Sequence, residues 1–171
     1  MHGPLYQFFA NDHNRLEALL NQAAANPKKI ELSAYEEFRK GLLKHIGMEE
    51  KILLPAAQRL RGGKAFPIAD TLKLDHGALV ALMVPPPSPT IITAVRAILA
   101  KHNILEEELD GVYETCERLA GDELNDLLEK LHATPEVPTM PFNPKPHVLD
   151  ATRRALARAG YDFDDYSVTE Q

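Results

Sequence analysis

Residues 38–53 read Phe38-Arg39-Lys40-Gly41-Leu42-Leu43-Lys44-His45-Ile46-Gly47-Met48-Glu49-Glu50-Lys51-Ile52-Leu53, and their spacing decides the fold. Phe38, Leu42, His45, Glu49 and Ile52/Leu53 recur every three or four residues, the period of a helix face turned to a core. A histidine and a glutamate therefore stand where that face calls for leucine or phenylalanine. Residues i and i+4 point the same way on a helix, so His45 and Glu49 offer an imidazole and a carboxylate to one centre. Burying such groups is costly unless something offsets their desolvation, and a metal ion does this well.

The same anomaly recurs on three other stretches. His13 shares a face with Phe9, Leu16 and Leu20, and His76 with Leu72, Leu79 and Met83. His102 and Glu106 follow Ile91, Val95 and Ile98/Leu99 on a seam that continues through Leu109, Tyr113 and Cys116. His-x-x-x-Glu spacing alone says little, because four of the seven histidines have it. Of those, His132/Glu136 is interrupted by Pro135, and Glu17 beside Asn14 and Asn21 reads as a solvated rim. Each histidine taken singly reads as a hydrogen-bonded core residue. Placement on four apolar seams carries the inference of a two-metal centre with His13, His45, Glu49, His76, His102 and Glu106 as ligands. Imidazoles would be terminal and carboxylates bridging.

Punctuation divides the chain into helices. The first is expected from about Leu5 to Ala25, before Asn26-Pro27; the second starts at Ser33, with Glu36 completing a capping-box pattern, and is kinked by Pro55 before Gly62-Gly63. A third begins near Pro67. The run Pro85-Pro86-Pro87-Ser88-Pro89 separates it from a fourth that continues to Gly121. A short helix spans Asp122 to about Leu131. Residues 133–147 hold five prolines and read as an extended linker, followed by a helix over Val148–Ala159 and a polar tail. Short connections predict an all-α, up-down-up-down four-helix bundle over residues 1–132, with 133–171 a linker, short helix and tail but no independent domain. A rise of about 1.5 Å per residue puts His13 and His45 at matching depth, but His76 and His102 about a turn and a half apart.

At 171 residues and net charge −6, with 44% hydrophobic and 26% charged residues, the chain reads as one soluble domain. It has no concentrated basic face for nucleic acid and no apolar run of the ~20 residues a membrane span needs. The first ten residues lack a signal-peptide pattern, so the expected location is cytoplasmic. Cys116 is the only cysteine, which excludes an intrachain disulfide and any site needing several thiolates. Nitrogen and oxygen ligands suit iron or manganese; zinc would bind with no evident chemistry to gain. Ferritin-like bundles use Glu-x-x-His, and no histidine of the set has Glu three residues before it.

His13, then His45-Ile-Gly-Met-Glu49-Glu50 followed by Leu54-Pro55, then Asp75-His76, then His102-x-x-x-Glu106, resembles the hemerythrin-like (HHE cation-binding) family over roughly residues 5–120. The resemblance implies a four-helix bundle holding two non-haem iron ions. His13 and His45 would bind one iron, His76 and His102 the other, and Glu49 and Glu106 would bridge them. Oxygen-carrying relatives have a fifth histidine four residues before the position of His76, and here that residue is Leu72. Glu50 and Tyr113 are the side chains considered as its substitute.

The expected function is binding or sensing of O2, another diatomic or peroxide at an open iron position, in an apolar pocket of Phe9, Phe38, Ile98 and Leu72. The alternatives are a di-iron oxidase or peroxidase, a protein donating iron to damaged iron–sulfur clusters, or an iron or redox sensor. A sensor would act on a protein partner or dimer mate through Arg153, Arg154 and Arg158.

Overall fold

The computed structural model describes residues 2–26 and 28–168. The elements, in order, are α1 (Pro4–Ala23), α2 (Leu32–Met48), a π-type turn (Glu49–Leu53), α3 (Leu54–Leu60), α4 (Ala69–Leu82), α5 (Pro89–Glu107), α6 (Val112–Ala120), α7 (Leu124–His132) and α8 (Pro146–Arg158). A single 3-10 turn, Gly121–Glu123, links α6 to α7, and another, Phe163–Tyr166, follows α8. The fold is all-α, with no strand among the described residues. Among the described residues, no helix is long and apolar enough to cross a membrane.

Helix α1 packs on α2 and α5, α4 on α5, and α8 on α4. Their apolar faces form two cores. One gathers Leu16, Leu20, Phe38, Leu42, Ile46, Leu79, Leu82, Val95 and Ile98. The other gathers Leu5, Phe9, Met48, Leu53, Leu72, Val112, Tyr113 and Cys116. Along each of the four central helices the chain passes from one core to the other at a histidine. His13 falls between Phe9 and Leu16, His45 between Leu42 and Met48, His76 between Leu72 and Leu79, and His102 just beyond Ile98. The ionisable set is thus one polar layer between two dry ones.

Several boundaries differ from expectation. The cap of α2 is Glu31, whose carboxylate accepts from Ser33 N at 3.0 Å and Ala34 N at 2.7 Å. Glu36 turns instead to Arg39 at 2.7 Å, so the Ser33/Glu36 capping box does not form. Pro55, expected to kink the helix, opens α3 directly after the π-type turn, which carries the widened backbone that a missing N–H requires. The expected fourth helix is two: α5 ends at Glu107, Asp110 takes φ 61° and α6 restarts at Val112. Leu109, placed on the seam by its period, is 84% exposed in that turn.

The depth mismatch also has a physical resolution. His76 lies about 9 Å from the end of α4 and His102 about 20 Å into α5, by residue rise. The connection 83–88 is long enough to start α5 well beyond the end of α4, bringing the two imidazoles level.

Candidate metal centre

His13 comes from α1, His45 from the last turn of α2, Glu49 from the start of the π-type turn, His76 from the middle of α4, and His102 and Glu106 from α5. All six are buried. They form two groups whose facing N and O atoms lie within 4.8 Å of one another: His13, His45, Glu49, Glu106 and Glu49, His76, His102, Glu106. The carboxylates are common to both. Glu49 sets Oε1 3.4 Å from His45 Nε2 and Oε2 3.1 Å from His76 Nε2. Glu106 sets Oε2 3.4 Å from His13 Nε2 and Oε1 3.1 Å from His102 Nε2. Each glutamate therefore offers one oxygen to each group.

The imidazoles face each other in pairs, with Nε2 atoms 3.0 Å apart for His13 and His45 and 3.1 Å for His76 and His102. Adjacent ligands on one metal with bonds near ~2.1 Å are separated by about 3.0 Å when the angle between them is close to a right angle.

Their outer nitrogens all meet carboxylates. His45 Nδ1 meets Asp12 at 2.8 Å, His76 Nδ1 meets Glu50 at 3.0 Å, His102 Nδ1 meets Asp75 at 3.2 Å, and His13 Nδ1 meets Glu107. A carboxylate on Nδ1 fixes the N–H there and leaves the Nε2 lone pair facing inward, the arrangement that orients a metal-binding imidazole.

The interior therefore has too many acceptors for its donors. Four Nε2 lone pairs and four carboxylate oxygens face the interior, and the Tyr113 hydroxyl reaches only two of each, on His13, His45, Glu49 and Glu106. Glu49 Oε2 and Glu106 Oε1 are buried with no hydrogen-bond partner. Cations between the imidazoles satisfy this donor set, and the nitrogen/oxygen chemistry fits iron.

Without a cation, protons make up the deficit. Burial alone would lower the His45 pKa, but the Glu49 charge, the Asp12 hydrogen bond and Glu106 raise it to about 10. His102, opposed by the same burial, is raised to about 10 by Glu106, Asp75 and Glu49. His13 is raised against its burial by Glu106 and Glu107. Glu49, despite burial that favours its neutral form, is held well below the ordinary carboxylate range by His45 and His76. Tyr113 is driven well above the usual phenol value by burial and the two glutamates.

Residues 5–84 match the family model described as the hemerythrin HHE cation binding domain. The hemerythrin-like resemblance is thereby shown over α1 to α4, a stretch that contains His13, His45, Glu49 and His76. His102 and Glu106 lie beyond it and are brought to the hemerythrin-like set by geometry. Comparison with curated proteins and with solved structures returned no match.

Spacing along single helices did not reveal the outer carboxylates as a set. Each adjoins a predicted ligand in sequence, in the doublets Asp12-His13, Glu49-Glu50, Asp75-His76 and Glu106-Glu107. Each serves an imidazole on a different helix, and the four contacts close a ring: α1 to α2, the π-type turn to α4, α4 to α5, and α5 back to α1. An acidic neighbour beside four of the six candidate ligands, His13, Glu49, His76 and Glu106, was the available signal. Of the two substitutes considered for the fifth histidine, Glu50 contacts the outer nitrogen of His76, and Tyr113 sits in the interior.

Phe9, Phe38, Ile98 and Leu72 are buried in the cores, but none lines the cavity at the centre. That cavity, about 370 Å³, is walled by Leu16, Leu20, Leu42, Ile46, Leu79 and Leu99. It reaches His13, His45, Glu49, His76 and His102, with Glu17, Asn21, Arg96 and Asn103 also in its lining.

Proposed function

We propose that the chain binds two iron ions in an antiparallel up-down-up-down bundle and uses them to bind O2 or a related small ligand. His13 and His45 hold one ion, His76 and His102 the other, and Glu49 and Glu106 bridge the two. The observation that carries this reading is that each of two buried carboxylates presents separate oxygens to two facing imidazole pairs. When bound, a redox-active iron pair supplies electrons and open coordination positions.

The chain's own residues do the rest. Asp12, Glu50, Asp75 and Glu107 orient the imidazoles, and the two dry cores keep the polar layer rigid. Leu16, Leu42, Ile46 and Leu79 wall the approach with apolar surface. Residues 133–168 act as a strap on the bundle and not as an independent domain, the last three residues of the expected 133–171 segment lying outside the described residues: Leu156 and Phe163 join the core of α1, α2, α4 and α5. Arg153 is engaged within the strap, pairing with Asp164 and lying 5.0 Å over the Phe163 ring.

Metal analysis of anaerobically prepared protein tests the reading. About two irons per chain are expected, with loss of at least one in His13→Ala and in His102→Ala. Wild-type protein that retains no iron, or that holds one ion unaffected by either change, overturns it.

A second reading is an enzyme, favoured by the size of the cavity. At about 370 Å³ it falls within the range of small-molecule sites and far exceeds a diatomic. Gas uptake separates the two: a binding protein takes up O2 in proportion to its iron and stops, whereas an oxidase or peroxidase consumes O2 or peroxide continuously.

A further inference from the structure

We propose that the phenol oxygen of Tyr113 is a fifth protein ligand of the metal held by His13 and His45, so that the two metals are inequivalent. The inference rests on the two-metal reading above. Tyr113 Oη lies 3.2 Å from His13 Nε2 and 3.4 Å from His45 Nε2. It lies 2.6 Å from Glu49 Oε1 and 3.0 Å from Glu106 Oε2, the carboxylate oxygens that face this same pair. Five donor atoms therefore surround one point, whereas four surround the point between His76 and His102.

The side chain is fully buried and rigidly placed. Its ring stacks on Phe9 with centroids 4.7 Å apart at 9°, and Tyr6 meets it edge-on at 6.3 Å. Its oxygen faces two imidazole nitrogens and two carboxylate oxygens with one proton of its own to give. A metal satisfies all of them. Coordination exchanges the O–H proton for the metal, the proton going to solvent.

The consequence is a division of labour. The central cavity reaches all four imidazoles but not Tyr113, so the number of protein ligands, and not access, distinguishes the two metals. The metal of His13 and His45 is thus the more saturated one, and ligand from the cavity binds at the metal of His76 and His102, on the side where Leu72 replaces a histidine.

The test uses the full chain and its Tyr113→Phe variant, each loaded with iron and brought to the ferric form. Metal content, visible absorption and resonance Raman spectra are then recorded. The wild type is expected to show a tyrosinate-to-iron charge-transfer band with enhanced phenolate ring modes, and Tyr113→Phe to keep its iron but lose both signals. Should that variant misfold, ring-deuterated tyrosine in the wild type must shift the modes, while Tyr6→Phe must leave them in place. Two irons per chain without phenolate modes, or modes that survive Tyr113→Phe or are lost in Tyr6→Phe, overturn the Tyr113 assignment and leave the two-metal reading standing. A wild type that holds no iron removes both.

Discussion

The outer carboxylates act one residue at a time, each on an imidazole of another helix. Asp12 is held below its usual carboxylate range by His45 and Arg15 despite partial burial, so it stays ionised at neutral pH and fixes the His45 Nδ1 proton. Removing such a partner typically weakens metal binding about 10–100-fold. Asp12→Asn is therefore expected to lower metal affinity within that range at His45 while leaving the fold intact, as read by competition with a chelator. Unchanged affinity would mean that Asp12 does not orient the ligand. The six central residues were legible in the sequence because a charged group on an apolar seam is anomalous by its period alone. Asp12 and Glu107 were not, because the imidazoles they serve sit on other helices and helix-to-helix register is a property of packing.

At the scale of elements, the turn between α5 and α6 decides whether Tyr113 faces the centre. The apolar period continues unbroken through Leu109, Val112, Tyr113 and Cys116, so pattern alone extends one helix across it. The break comes from Asp110 in the left-handed region and from the crowding at Gly111, where a Cβ would stand 2.7 Å from both Glu106 O and Glu108 O. Those are backbone atoms and cannot move aside cheaply. Gly111→Ala is expected to destabilise the protein by about 1–3 kcal/mol and to loosen metal retention, because α6 must shift to relieve the clash. Thermal unfolding together with metal content after dialysis measures both. A stable variant with full metal content would show that the turn tolerates a side chain and does not position the site. The run from Pro85 to Pro89, by contrast, marked the start of α5, which the structure caps with Ser88, whose Oγ accepts from Ile91 N at 3.2 Å.

Across the whole molecule, the strap is joined to the bundle through α2, α4 and α5. Thr152 Oγ1 donates to Ala81 O at 3.1 Å, and the Arg39 guanidinium lies 4.2 Å over the Phe142 ring, fastening the Pro-rich stretch. Prolines marked this stretch as an extended linker, but its docking depends on complementary shape and left no periodic trace. Leu156→Ala, at a fully buried site, is expected to cost about 2–5 kcal/mol. A smaller loss in denaturant unfolding would argue that the strap packs loosely.

Stability as a function of pH tests the centre globally. In metal-free protein, His45 and His102 titrate near about 10 when folded against an ordinary value of 6.5. Raised histidines contribute stability that is fully present below 6.5 and is lost as pH climbs through about 10. Glu49, depressed below 4.5, contributes above that value and loses its contribution as pH falls below it. Metal-free protein should thus be most stable between the two ordinary values and should melt at markedly lower temperature at about pH 9 than at about pH 6. Metal binding requires neutral imidazoles, so it releases those protons and removes the alkaline loss. Calorimetry of metal-free and metal-loaded protein, the latter freed of excess metal, should show a steep alkaline decline in the first and a shallow one in the second. Parallel curves would mean that protons and metal do not compete for the same interior atoms, and the cluster would then hold its charges by hydrogen bonding alone.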